Sequence, residues 1–172
     1  MFRVLMFRLN RKGKQPLGDS ITYVFVKHPS DIGEQKTTFG HDLCPYRTPE
    51  DGLLLYETGA GKDYTEVWGP QVADIFARGE YSEDLELDAA IKKIAHDIKD
   101  VKGVIMGHLH LDHAGGLEYF RGTDVPIYVH EIELKNAFYS AATKVDIGVY
   151  LPTYLQFDLN WTPLYGDSIL NA

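Results

Sequence analysis

The sequence predicts a mixed α/β (α+β) fold in a single domain. Short β-rich runs such as "SITYVFVKH" and "GVIMG" are separated by at least one strongly amphipathic helical stretch. No repeat, low-complexity tract or internal linker divides the 172 residues. A chain of that length buries about 70% of the surface that its unfolded form exposes, enough for one core. The formal net charge of −8 argues against a nucleic-acid binder, which carries a basic footprint.

The elements follow in chain order. "MFRVLMFRLNRKGK" is broken by Arg3 and Arg8 and has no small-residue cleavage site, so it reads as a strand or an unstructured start rather than a signal peptide. Ser20 to His28 alternates and is rich in β-branched and aromatic residues, so a strand is expected there. Residues 29–51 are turn-rich without a period and read as a long loop or hairpin insertion. "GLLLYETGAG" is a strand ending in a glycine-rich turn. Pro70 to Arg78 reads as a short helix, with proline in its first turn and Gly79 beyond its end.

From Glu83 to Lys99 the pattern is helical. Ser82 stands as N-cap, acids fill the first turn, and Leu87, Ile91, Ile94 and Ile98 line one face. Lys92, Lys93 and Lys99 are then expected in water, with His96 on the solvent side. "GVIMG" is a short buried strand, "DVPIYVHE" another, and Glu131 to Lys144 a helix. "LPTYLQFDLNWTPLYGDSIL" reads as loop, strand and turn. No stretch reaches the roughly 18 apolar residues of a membrane helix. Cys44 is the only cysteine, which excludes an internal disulfide and suits a reducing compartment such as the cytoplasm.

The chemistry concentrates in "HLHLDHAGG". In extended backbone, side chains two apart point the same way, so His108 and His110 can grip one metal. A following turn would carry Asp112 and His113 to a neighbouring ion. Imidazole nitrogens with a carboxylate suit zinc, and also iron, cobalt or manganese. Gly115 and Gly116 would let the backbone turn tightly behind the site. Leu109 and Leu111 alternate with the polar groups and are expected in the core.

This motif resembles the signature of the metallo-β-lactamase superfamily. "GLLLYETGAG" is similar to the superfamily strand that ends Asp-Thr-Gly, with Glu57 in the place of the aspartate. "VPIYVHEIELKNA" and "YLQFDLNWTPLYGD" resemble the N-acyl homoserine lactonase branch, particularly lactonase-like hydrolases of fungi. The resemblance runs from about Ser20 to the end. It implies an αββα sandwich of two similar halves, of which this chain is the amino-terminal one. It also implies two zinc ions or other divalent metals, with His108 and His110 on the first and Asp112 and His113 on the second. A metal-bridging hydroxide would open a lactone or ester, with Asp112 as the catalytic group returning a proton to the leaving alkoxide.

By the same resemblance, further ligands lie beyond this stretch. The chain is therefore expected to be a truncated, incomplete domain spanning 1–172 with a poorly matched start at 1–19. It is expected to be inactive alone and prone to self-association through an uncovered face of "SITYVFV" and "GLLLY". A glyoxalase II-like thioesterase or other ester hydrolase is the rival within the enzyme class, and a non-catalytic remnant the rival outside it. The remaining candidates rank lower. His130 reads as structural or pocket rim, Glu57 as supporting the ligands, His41 and Cys44 as lacking a partner pair, and Asp167 as a turn residue. Trp68, Phe138, Tyr139, Tyr150, Tyr154 and Trp161 read as core or pocket wall for a small-molecule lactone or ester with an apolar group.

Overall fold

The computed structural model describes residues 44–48, 52–75 and 83–166. Five strands form one sheet in the order β1 (Cys44–Thr48), β2 (Gly52–Tyr56), β3 (Val101–Met106), β4 (Pro126–His130) and β5 (Asn160–Leu164). β1 pairs antiparallel with β2, so part of the expected loop or hairpin insertion 29–51 is a strand, the outermost among the described residues. The other pairs are parallel. Parallel neighbours need crossovers, and the helices α1 (Tyr64–Trp68), α2 (Pro70–Ile75), α3 (Leu87–Lys93), α4 (Leu111–Ala114) and α5 (Glu131–Thr143) lie within them. One consequence positions the site. The carboxyl ends of β2, β3 and β4 come out together, with Tyr56 beside Ile105 and Met106 beside Val129. Ligand sites of open α/β sheets form at that edge.

Side chains alternate across the sheet. Leu55, Val104 and Ile127 occupy adjacent register positions and belong to the main core. Trp68, Leu117, Phe120, Ala137 and Tyr154 are buried in the same cluster. The opposite face carries Tyr56, Ile105 and Tyr128 in register, with Tyr56 37% exposed and the other two half-buried. Leu53, Leu54 and Leu55 are all buried, so the expected uncovered face of "GLLLY" is confined to Tyr56. Ser20 to His28, Ser82, His41 and Asp167 lie outside the described residues.

The expected helix over Glu83 to Lys99 is interrupted. A 3₁₀ turn at Glu83–Leu85 precedes α3, and a second at Ile98–Asp100 follows it. α3 stops in a Schellman pattern. Ala95 N–H donates to Lys92 O (3.0 Å) and His96 N–H to Ile91 O (3.3 Å), while Ala95 takes φ +62°. The position usually held by glycine is an alanine, so the sequence carries no stop signal there. Asp97 then caps the next turn through Lys99 N–H, and Asp100 accepts from Asp97 N–H in return. Leu87 and Ile91 are buried and Ile94 and Ile98 partly so, while Lys92, Lys93 and Lys99 are exposed as expected. His96 lies beyond the helix, half-buried, with Nδ1 3.6 Å from Asp100.

α1 lies ahead of the expected Pro70 helix, where the pattern predicts no element. Its Tyr64 and Trp68 rings meet edge to face at 5.0 Å. Trp68 Nε1–H donates to the Tyr154 hydroxyl (2.9 Å), which donates to Ala60 O (3.1 Å). That buried chain anchors the turn after β2. Tyr139, read as core or pocket wall, is instead 65% exposed.

Candidate metal centre

β3 ends at Met106, and Gly107 leads into three irregular residues before α4. The extended stretch holds His108 and His110 on one side and sends Leu109 and Leu111 inward, where both are buried. The imidazole rings of His108 and His110 lie 4.7 Å apart, and those of His108 and His113 3.8 Å apart. Two overlapping donor sets result. One ligand atom each from His108, His110 and Asp112 lie within 4.8 Å of one another, and so do those from Glu57, His108 and His113. Asp112 thus joins the first pair of histidines rather than standing apart with His113. It still links to the second set, with Oδ2 3.4 Å from His113 Nε2.

Glu57 is the first residue past β2 and sits at φ +64°. Its N–H donates to Ile105 O across the parallel register. Its Oε1 accepts from Gly107 N–H (2.7 Å), and its buried Oε2 lies 3.3 Å from His113 Nδ1 without a well-angled hydrogen bond. The longer acid therefore still reaches the start of the histidine loop. The turn that follows is stitched to α4. Thr58 donates from both N–H (3.1 Å) and Oγ1 (2.6 Å) to His113 O, and Gly115 N–H donates to Gly59 O (2.8 Å).

Gly115 and Gly116 serve a different purpose from the expected turn. Gly115 has ordinary helical angles (φ −61°). A Cβ there would lie 2.0 Å from the carbonyl carbon of Ala60, and one at Gly116 would lie 2.4 Å from Thr58 O. Both glycines let the turn after β2 press directly on the backbone behind the site.

The electrostatics separate the histidines. His108 is lowered to about 4, by burial first and then by His113 and His110, against the pull of Asp112. It is neutral at pH 7, the form that binds metal. Burial also pushes His113 down, but the close carboxylates of Asp112 and Glu57, 3.4 and 3.3 Å from its ring nitrogens, outweigh it and raise the ring to about 9. Clustered imidazoles with one buried and one half-buried carboxylate, and a carboxylate oxygen lacking a well-angled hydrogen bond, make a donor set that fits a divalent cation.

His130 is outside both donor sets. It caps α5, with Nδ1 accepting from Ile132 N–H (3.3 Å). Of Cys44 only the backbone in β1 is described. Glu133 and Tyr150, by contrast, adjoin the site. Glu133 accepts from Leu109 N–H, and the Tyr150 ring meets His110 edge-on at 4.8 Å. Only the placement of Glu133 in the first turn of a helix hinted at a special position.

The family model described as "Metallo-beta-lactamase superfamily" matches residues 46–165. An N-acyl homoserine lactone hydrolase structure, with N-hexanoyl-L-homoserine bound at its catalytic metal center, aligns at a TM-score of 0.54 and 25% identity. The alignment covers 73% of this chain and 49% of that one. A B. thuringiensis AiiA mutant with N-decanoyl-L-homoserine bound at its active site gives the same figures. A quorum-quenching N-acyl homoserine lactone hydrolase shares the fold at a TM-score of 0.52 and 23% identity, over 73% of this chain and 46% of that one. The chain spans about half the length of these structures. No curated protein gives a significant match. With the model covering most of the chain and the histidine loop at the carboxyl edge of a parallel sheet, this protein belongs to the metallo-beta-lactamase superfamily.

Proposed function

We propose that this chain forms the metal-ligating part of a zinc-dependent hydrolase that opens lactones or related esters. The convergence of His108, His110, Asp112 and His113 beside the buried Glu57 carries this reading. The lactone hydrolase structure with its product N-hexanoyl-L-homoserine bound supports the lactone class. His108, His110 and Asp112 would hold one ion, and His113 with Asp112 a second. Such ions supply an activated water and polarise a carbonyl. Glu57 orients His113 through Nδ1, the usual role of a carboxylate behind a ligating imidazole. Asp112, half-buried between the two donor sets, would take the proton released by the attacking water and return it to the alkoxide oxygen freed when a lactone ring opens.

The test is to load the purified chain with zinc, then assay bound metal and the hydrolysis of an acyl homoserine lactone, a thioester and a simple ester. Lactone opening that disappears with chelation and in His110→Ala supports the proposal. Preference for the thioester would reassign the substrate to the glyoxalase II-like class. Bound zinc without turnover of any of the three would favour a non-catalytic chain. Zinc content unchanged in both His108→Ala and His110→Ala would overturn the site.

A further inference from the structure

Glu133 lies in the first turn of α5, where a carboxylate ordinarily serves its own helix terminus. Here it reaches to the histidine loop. Its Oε1 accepts from Leu109 N–H (2.7 Å), the peptide between His108 and His110. The buried Tyr150 hydroxyl donates to the same carboxylate, 3.2 Å from Oε1 and 3.4 Å from Oε2. The Tyr150 ring stands nearly perpendicular to His110, at 82° and 4.8 Å between centroids. On the other side of His110, Leu111 N–H donates to Val149 O (2.9 Å). The backbone on both sides of His110, and its ring, are thus held by α5 and by the turn after it.

We propose that Glu133 is a positioning residue. By bridging Leu109 N–H and the Tyr150 hydroxyl, it sets the orientation of His110 and thereby the affinity of the first donor set for a divalent cation. The inference rests on the metal-centre reading above. Partners behind metal ligands typically matter by 10–100-fold in affinity.

Two measurements on the full chain test it: cobalt(II) titration followed by visible absorption, and ¹H–¹³C spectra of the His110 ring in the chelator-treated protein. Glu133→Ala is expected to weaken cobalt binding roughly 10-fold or more and to shift the His110 ring signals. Glu133→Gln keeps an oxygen acceptor for both donors and is expected to stay within about 3-fold of the parent, because it leaves no buried N–H unpaired. Tyr150→Phe keeps the ring contact but loses the hydroxyl, and is expected to fall between them. If Glu133→Ala does not fold, the Gln and Phe variants carry the test. Parental affinity with unmoved His110 signals in Glu133→Ala, or a Gln variant as weak as the Ala variant, would overturn the positioning role. If the parent chain itself fails to bind cobalt, the metal-centre reading falls, and with it any effect of Glu133 on affinity. Unmoved His110 signals beside normal parental binding would strike the positioning role alone.

Discussion

Glu57 Oε2 lies 3.3 Å from His113 Nδ1, joining the end of β2 to α4 across 56 positions of sequence. That contact makes the site's response to pH predictable. His113 holds its proton more tightly folded than unfolded, so its stabilisation is full below about pH 6.5 and is lost as pH rises toward about 9. His108 does the reverse. Its penalty is absent above about pH 6.5 and grows as pH falls toward about 4. With metal removed, these two groups should place maximal stability near pH 6.5, as read from urea midpoints across that range. Glu57→Gln should shrink the alkaline limb selectively. Zinc binding at pH 7.5 should release about one proton, from His113, measurable by calorimetry in buffers of different ionisation enthalpy. No proton release would show that His113 is already neutral.

The glycine pair should be intolerant of even one methyl group. Gly115→Ala drives a Cβ to 2.0 Å from the backbone of Ala60, which no rotamer change relieves. A loss of about 3 kcal/mol or more is expected, at the upper end for overpacking. Gly148→Ala meets nothing within 4 Å and should stay within about 0.5 kcal/mol. Thermal unfolding of both variants provides the comparison, and equal stabilities would contradict the close approach described.

The alanine that ends α3 should be improvable. Ala95 is exposed and holds φ +62°, a conformation that costs an L-residue about 1 kcal/mol and glycine almost nothing. Ala95→Gly is expected to raise stability by up to that amount. A decrease in the unfolding midpoint would mean that α3 continues through this position in solution.

Along the α3 stripe, truncation should separate the buried from the half-buried residues. Leu87→Ala and Ile91→Ala are expected to cost about 2–5 kcal/mol each. Ile94→Ala and Ile98→Ala, already partly in water, should cost less than about 2 kcal/mol. Uniform losses across all four would favour the unbroken helix that the periodicity predicts.

Local pattern alone determined a good deal. The two-residue alternation in "HLHLDH" places His108 and His110 on one side and the leucines in the core, because successive side chains of extended backbone point oppositely. Short apolar, β-rich runs marked β2 to β4 and a further strand was expected near β5, and the motif carried the superfamily assignment. The end of α3 was not legible. Its hydrophobic spacing continues in helical phase through Ile98, and only the backbone conformation at Ala95 breaks it. The use of Gly115 and Gly116 was misread as turning, since a sequence shows that a side chain is missing but not what occupies its place. The resemblance pointed to Glu57 as a supporting residue, but its contacts, and the placing of Glu133 and Tyr150 beside the histidines, come only from tertiary structure. The parallel pairing of β2 with β3 sets Glu57 beside Gly107, and the packing of α5 carries Glu133 to Leu109. Those hydrogen bonds span 50 and 24 residues, and such separations are closed by sheet register and helix packing, which no local periodicity encodes.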